Sequence, residues 1–199
     1  RTNQADLGAD MSLYLESGNE ARIKAAYENR DPRLAALAIT PYSEYVGGVS
    51  GVDLTYVYRF PFNSKNEPVL DLETAAPTNL SYPLRKFVSV GVEYTHVTYN
   101  PLDIPLIRYA DVLLGLAEAH NEQNEFDEAL ACVNKIRARA GVAELNSADY
   151  KGVAVSSQDD LRERIRMERK WELAGEQVLY FDELRWGTWK EDKFGNDNG

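Results

Sequence analysis

Cysteine, histidine and methionine are scarce in this 199-residue chain, at one, two and two. A single cysteine, Cys132, allows no intrachain disulfide. It falls on the apolar side of a helix candidate, where a buried and inert thiol is the plain reading. The histidines, His96 and His120, stand far apart, with no zinc-ligand spacing, and neither lies at the i, i+3 spacing of di-iron bundles from Glu168, Glu172 or Glu176. Cations are outnumbered, 22 against 32 acidic residues for a net charge of −10. A phosphate backbone needs clustered Lys and Arg, so this balance argues against a nucleic-acid partner. No glycine-rich phosphate loop and no Ser/His/Asp cluster occurs, and no run is long and apolar enough to span a bilayer. Proline is absent from the last third, since all eight prolines lie between Pro32 and Pro105.

That proline boundary divides the chain. Proline removes a backbone donor and breaks helices, so residues 1–105 should hold a short helix and a loop-rich region, and residues 106–190 a helical scaffold, together one domain over 1–199. Hydrophobic residues make up 44%, enough for a real core. The chain starts at Arg1 without a methionine and stops in KFGNDNG, which reads as a fragment of a longer protein, with any export signal upstream.

Within the first part, Asn19–Asn29 is a helix candidate with Ile23, Ala26 and Tyr27 on one face, ended by Asp31-Pro32. Gly47, Gly48 and Gly51 are read as flexible points. Val52–Phe60 and Phe87–Tyr99 alternate as strands do, leaving room for a small two-stranded ribbon. In the second part the periodicity predicts helices over Leu106–Glu122, Glu125–Ala140 and Gln158–Ala174, the last running on with a bend towards Trp186. Ser157 and Asp160 form a capping pair. Gly141 after Arg137 and Arg139 stops the second helix. Small Ala117 and Ala129 flank the turn of the first pair, the layout of a tetratricopeptide-type unit or of a plain αα-hairpin. His120 stands where an aromatic is usual and Asn124 where glycine is usual. Leu113, Leu116, Val133 and Ile136 are predicted core residues. The first helix is apolar on nearly all sides and should be covered on most of them.

Three groups could carry chemistry. Glu168, Glu172 and Glu176 recur at i, i+4, i+8, and a row of carboxylates repels unless cations meet it. A metal site or an acid/base pair would need histidine partners or a facing carboxylate; an ion-pair network with Arg137, Arg139, Arg166 and Arg169 asks for neither. Trp171, Trp186 and Trp189 lie near the C-terminal end; the first two read as packing residues and Trp189 is open as a stacking surface. Seven of the twelve tyrosines lie between Tyr42 and Tyr99. An aromatic ring on a loop offers a flat apolar face to a sugar and, in tyrosine, a hydroxyl at its edge; the plainer alternative is that the rings pin the loop down. The candidate ligand residues are Tyr42, Tyr45, Tyr56, Tyr58, Tyr94 and Trp189.

The segments RYADVLLGLAEAHNE, EALACVNKIRARAG and IRMERKWELAGE followed by YFDELRWG resemble the RagB/SusD family, supported by NRDPRL at Asn29–Leu34 and by Arg85-Lys86-Phe87. The family usually has glycine and arginine after the glutamate of the last motif, where this chain has Gln177 and Leu179. The resemblance implies a mainly α fold of tetratricopeptide-like hairpins with a long proline- and tyrosine-rich loop region. It also implies non-catalytic binding of an oligo- or polysaccharide or other nutrient at the cell surface of a Gram-negative bacterium. The implied partner is a SusC-like TonB-dependent transporter in the outer membrane, with no cofactor, no metal and a lipid anchor outside this chain. A helical-repeat scaffold for protein partners is the alternative that periodicity alone leaves open.

Overall fold

The computed structural model describes residues 25–40, 44–49, 52–57, 84–87, 103 and 105–195. The chain divides between residues 104 and 105 into two units. The described residues are mainly helical.

In the first unit, helix α1 spans Pro32–Leu37. Sequence reading had Asp31-Pro32 ending a helix; the pair begins one. Proline has no N–H to lose at the first helical position, and its fixed φ suits the first turn. Asp31 caps the helix, its carboxylate accepting from Arg33 N at 2.9 Å and from the Arg33 guanidinium at 2.6 Å. The preceding helical turn at residues 25–27 is closed by Asn29 at φ 55°. Past α1, Ala38 bridges Leu84 in antiparallel fashion, and Leu37 O accepts from Arg85 N at 2.8 Å. Strands β1 (Glu44–Val49) and β2 (Val52–Val57) form an antiparallel ribbon. The expected strand at Val52 is therefore present, with a different partner. Gly47 and Gly48 lie within β1 rather than acting as flexible points. Only two residues separate the strands, so their pairing costs little closure entropy. Of the Phe87–Tyr99 candidate, only Phe87 lies within the described residues.

The second unit starts with helices α2 (Tyr109–Glu122) and α3 (Phe126–Ala140), joined by a three-residue turn. Asn124 holds φ 61° there, the left-handed conformation that glycine adopts freely and asparagine tolerates better than most. Gly141 closes α3 at φ 70°, and Val142 N donates to Arg137 O at 3.0 Å. The link to the next helix is tied to α3 by Asn134, whose side chain donates to Leu145 O (3.1 Å) and accepts from Leu145 N (2.7 Å). Helix α4 spans Gln158–Glu172. Its cap Ser157 accepts from Asp160 N at 3.1 Å, while the Asp160 carboxylate reaches back one residue further than a capping box does, to Ser156 N at 2.9 Å. Leu173 ends the helix, and positive φ at Gly175 and Gln177 turns the chain into α5 (Leu179–Trp186). Gly187 then leads to α6 (Trp189–Phe194).

Helix α2 packs on both α3 and α4. The core between them is Leu113, Leu114, Ala117, Ala129, Val133, Ile136, Leu161, Ile165 and Leu173, extended by Leu145 and Val153 of the link. Ala117 and Ala129 are fully buried, which lets the two hairpin helices approach closely. Leu116 is 44% exposed, contrary to its predicted burial. Two neighbours cover the faces bearing Leu113, Leu114 and Ala117, and Leu116 lies on the remaining one, with Val112. Trp171, read as a packing residue, is also half-exposed, because the side of α4 turned inward carries Leu161, Ile165, Glu168 and Glu172.

Candidate functional site

The last two turns of α4 and the turn that follows bring Glu168, Glu172 and Glu176 against arginines from the starts and ends of neighbouring helices. Glu168, 1% exposed, accepts from the Arg137 guanidinium at 2.7 Å, and Arg137 Nε donates to Ala143 O at 2.7 Å. Glu172 accepts from Arg139 at 2.6 and 2.7 Å and from Arg108 at 3.1 Å. Glu176 is forked by Arg108 at 2.8 and 2.6 Å. This is the ion-pair network read from the sequence, with different members. Arg137 and Arg139 belong to it as expected. Arg166 and Arg169 do not pair with these glutamates: Arg166 pairs with Glu163 at 3.0 Å, and Arg169 forks Asp182 (2.8 and 3.1 Å) and reaches Asp111 (2.7 Å). Arg108, the residue before α2, was missed; it lies 64 and 68 residues from its partners, and no local pattern announces such a pair. Its hydrogen bonds to Glu176 raise its pKa against the opposing effect of burial. Among the described residues no cluster of His, Cys, Asp or Glu is arranged to hold a metal ion.

A second network fixes α5 to α2. Arg185 forks Glu118 at 3.1 and 2.5 Å and also donates to Asp182 at 2.9 Å. Trp186 donates its indole N–H to Glu118 at 2.6 Å, and the Arg166 and Arg185 guanidinium groups lie over its ring at 5.2 and 5.1 Å. Trp186 is thus a packing residue, as its place in the sequence suggested. The one cysteine, Cys132, is half-buried beside the core, and desolvation pushes its thiol pKa up, away from nucleophile behaviour.

The candidate ligand residues fall in three places. Tyr45 and Tyr56 are register partners across the β1–β2 ribbon. Tyr42, Tyr58 and Tyr94 lie outside the described residues. Trp189 opens α6, half-buried, and packs edge-on to Tyr180 (6.1 Å between ring centres) and Phe194 (5.5 Å). Tyr180 meets Phe181 edge-on at 5.4 Å, and Tyr180, Phe181 and Phe194 are all more than half exposed. Trp189 therefore belongs to an aromatic group that reading single residues did not assemble. The available signal was the Tyr180-Phe181 pair, since adjacent residues on a helix cannot both face one core.

The sequence profile of the SusD family matches residues 12–199. The chain is similar to SusD-like protein P25 of Formosa agariphila, 31% identical over 198 residues, a match covering 92% of this chain and 36% of the relative. It is also similar to SusD-like protein P2 of the same organism, 42% identical over 98 residues, covering 47% of this chain and 17% of that protein. In structure it resembles a SusD-like protein from Bacteroides fragilis, with a TM-score of 0.54 and 27% identity over 82% of this chain and 29% of that one. The chain thus spans well under half the length of these relatives.

Proposed function

This chain belongs to the SusD family, and on that premise we propose that it takes part in binding a glycan or other nutrient at the cell surface, without catalysis. The bound nutrient is handed to a SusC-like TonB-dependent transporter in the outer membrane, and a lipid anchor outside these residues holds the protein there. The observation that carries this reading is the family match over residues 12–199. The helices are consistent with a scaffolding role, because the buried charged side chains of α4 are engaged by partners on α3 and α5.

The stacking platform belongs to the tyrosine-rich region, with Tyr45 and Tyr56 at its centre and Tyr42, Tyr58 and Tyr94 as further members; Trp189 is the candidate on the helical unit. Register pairing of Tyr45 with Tyr56 supports grouping these two. A sugar gains by covering an aromatic face, and truncating one ring typically forfeits about 1 kcal/mol or somewhat more. A glycan array identifies the ligand, and calorimetry then compares Tyr45→Ala, Tyr56→Ala, Tyr58→Ala and Tyr94→Ala with the parent. Several-fold weaker binding at an unchanged melting temperature is expected. Parental binding by all four moves the platform elsewhere, and release of shortened sugars from the glycan overturns the non-catalytic reading.

A further inference from the structure

The segment that joins α3 to α4, residues 141–157, carries an aromatic ring that does little to hold it. The segment is fixed to the core by Leu145 and Val153, both buried. Its backbone is tied as well. Asn146 N donates to Val153 O at 3.0 Å, Asn146 Oδ1 accepts from Val155 N at 2.7 Å, and Arg164 donates to Ala154 O at 2.8 Å. Inside this frame Tyr150 precedes a single turn of 3-10 helix at Lys151–Val153. Tyr150 is 59% exposed, so burial of its ring adds little to the stability of the segment.

The position of the ring is nonetheless specified. A methyl group in place of the Gly152 hydrogen would come within 2.9 Å of Tyr150 Cε1 and 3.3 Å of Tyr150 Cζ. Gly152 lacks the left-handed φ that favours glycine, and glycine loses more freedom on folding than any other residue. The close approach of the Tyr150 ring is what accounts for it. A ring seated on a glycine in a braced segment is ordered before any ligand arrives, so binding forfeits less conformational freedom. Asp149 beside it is exposed, and Ser147 is half-buried. A carboxylate and a hydroxyl next to an open aromatic ring suit a sugar, which presents C–H groups on its face and hydroxyls at its edge.

The geometry points to Tyr150 as a glycan-stacking residue on the helical unit, in addition to the tyrosine-rich region and Trp189, with Gly152 setting its ring. The inference rests on the glycan-binding reading and adds a contact to it. The probe is the oligosaccharide bound most strongly by the full-length protein on an array of neutral and acidic glycans. Tyr150→Ala should weaken its binding about fivefold or more at an unchanged melting temperature, and Tyr150→Phe should stay near the parent. Gly152→Ala should also weaken binding several-fold without unfolding the protein, because the methyl group displaces only the far end of a flexible side chain. A fluorine-labelled tyrosine at position 150 should change its resonance as that oligosaccharide is added. Parental affinity in Tyr150→Ala overturns the inference and leaves glycan binding intact. So does an unmoved fluorine resonance at saturation, or a melting temperature that falls with Tyr150→Ala, since the ring would then act through the loop. A parent that binds nothing on the array removes the glycan reading together with this contact.

Discussion

The two halves of α4 are held by opposite means. Its first two turns bury Leu161 and Ile165, both at 0% exposure, and keep their charges at the surface, where Arg162 meets Glu122 and Asp159. Its last two turns bury Glu168, Arg169 and Glu172 at 1%, 6% and 5%. Apolar burial is graded, with each methylene contributing its share. Buried ion pairs are close to all-or-none, because the desolvation cost of each charge is offset only while its partner is present. The N-terminal half should therefore tolerate partial change, and the C-terminal half should not. The second half also fixes geometry: Arg137, Arg139 and Arg108 tie α4 to both ends of the α2–α3 hairpin, and Asp182 ties it to α5.

The hardest test of that contrast is Glu168→Ala. It leaves the Arg137 guanidinium almost buried without its carboxylate and should cost about 3–5 kcal/mol, read from the denaturant midpoint. Replacing both partners, Arg137→Met with Glu168→Leu, should restore most of the loss, since well-packed apolar side chains often match or exceed a buried pair. A single variant that loses under about 1 kcal/mol would place this pair with ordinary surface bridges and erase the distinction between the halves. In the other half, Leu161→Ala should cost about 2–5 kcal/mol, and Leu161→Met should stay below about 1.5 kcal/mol. A methionine variant as damaged as the alanine one would show that the apolar half is not graded. Leu116, which the sequence placed in the core, provides the control: at 44% exposure, Leu116→Ala should fall well short of Leu161→Ala in the same experiment.

The helices were legible because their signals are local. The first helix was expected from residue 106 and starts at 109; the second was expected from 125 and starts at 126; the third starts at 158 as expected and ends two residues early, at 172. Apolar period and capping residues set these limits. Leu116 was misplaced because a period of 3.6 marks an apolar face without saying how many neighbours cover the helix. Arg108 was missed because its partners are distant in sequence. The strand at β1 was hidden by Gly47 and Gly48, which weaken a strand pattern. The candidate site was less legible than the scaffold, since stacking residues on loops obey no period and only their number drew attention to them. The turn after α4 was also obscure: the family usually has glycine where Gln177 stands, and Gln177 holds φ 63°.

That residue gives a smaller test at the border of the ionic half. A non-glycine residue in the left-handed region carries a cost of roughly 1–2 kcal/mol. Gln177→Gly relieves it but adds freedom to the unfolded chain, so a net gain of about 0.5–1 kcal/mol is expected. A thermal melt that falls instead would mean that the Gln177 side chain contributes more than its backbone costs.

The smallest effect belongs to the other end of α4 and distinguishes the halves by pH. Asp160 accepts from Ser156 N at 2.9 Å, from Ser156 Oγ at 3.1 Å and from Arg164 Nε at 2.9 Å. The backbone donor at Ser156 comes first among the causes that hold its carboxyl below the usual range, with Arg164 adding to it and burial opposing. A carboxyl whose folded pKa is depressed binds protons less readily folded than unfolded. Its stabilisation is therefore complete above the unfolded value, about 3.9, and disappears as the pH falls through the lower folded value. Asparagine keeps an acceptor for Ser156 N and removes only the charge. Because the group is partly exposed and screened by solvent, Asp160→Asn should cost under about 1 kcal/mol at neutral pH. The two proteins should converge as the solution is acidified below pH 4, compared by denaturant midpoint at low ionic strength. Screening by salt should shrink the neutral-pH difference as well, because both partners of the charge pair, Asp160 and Arg164, are partly open to solvent. A difference that persists undiminished in acid would show that Asp160 acts through hydrogen-bond geometry alone, and the charge at the start of α4 would then contribute nothing to holding it.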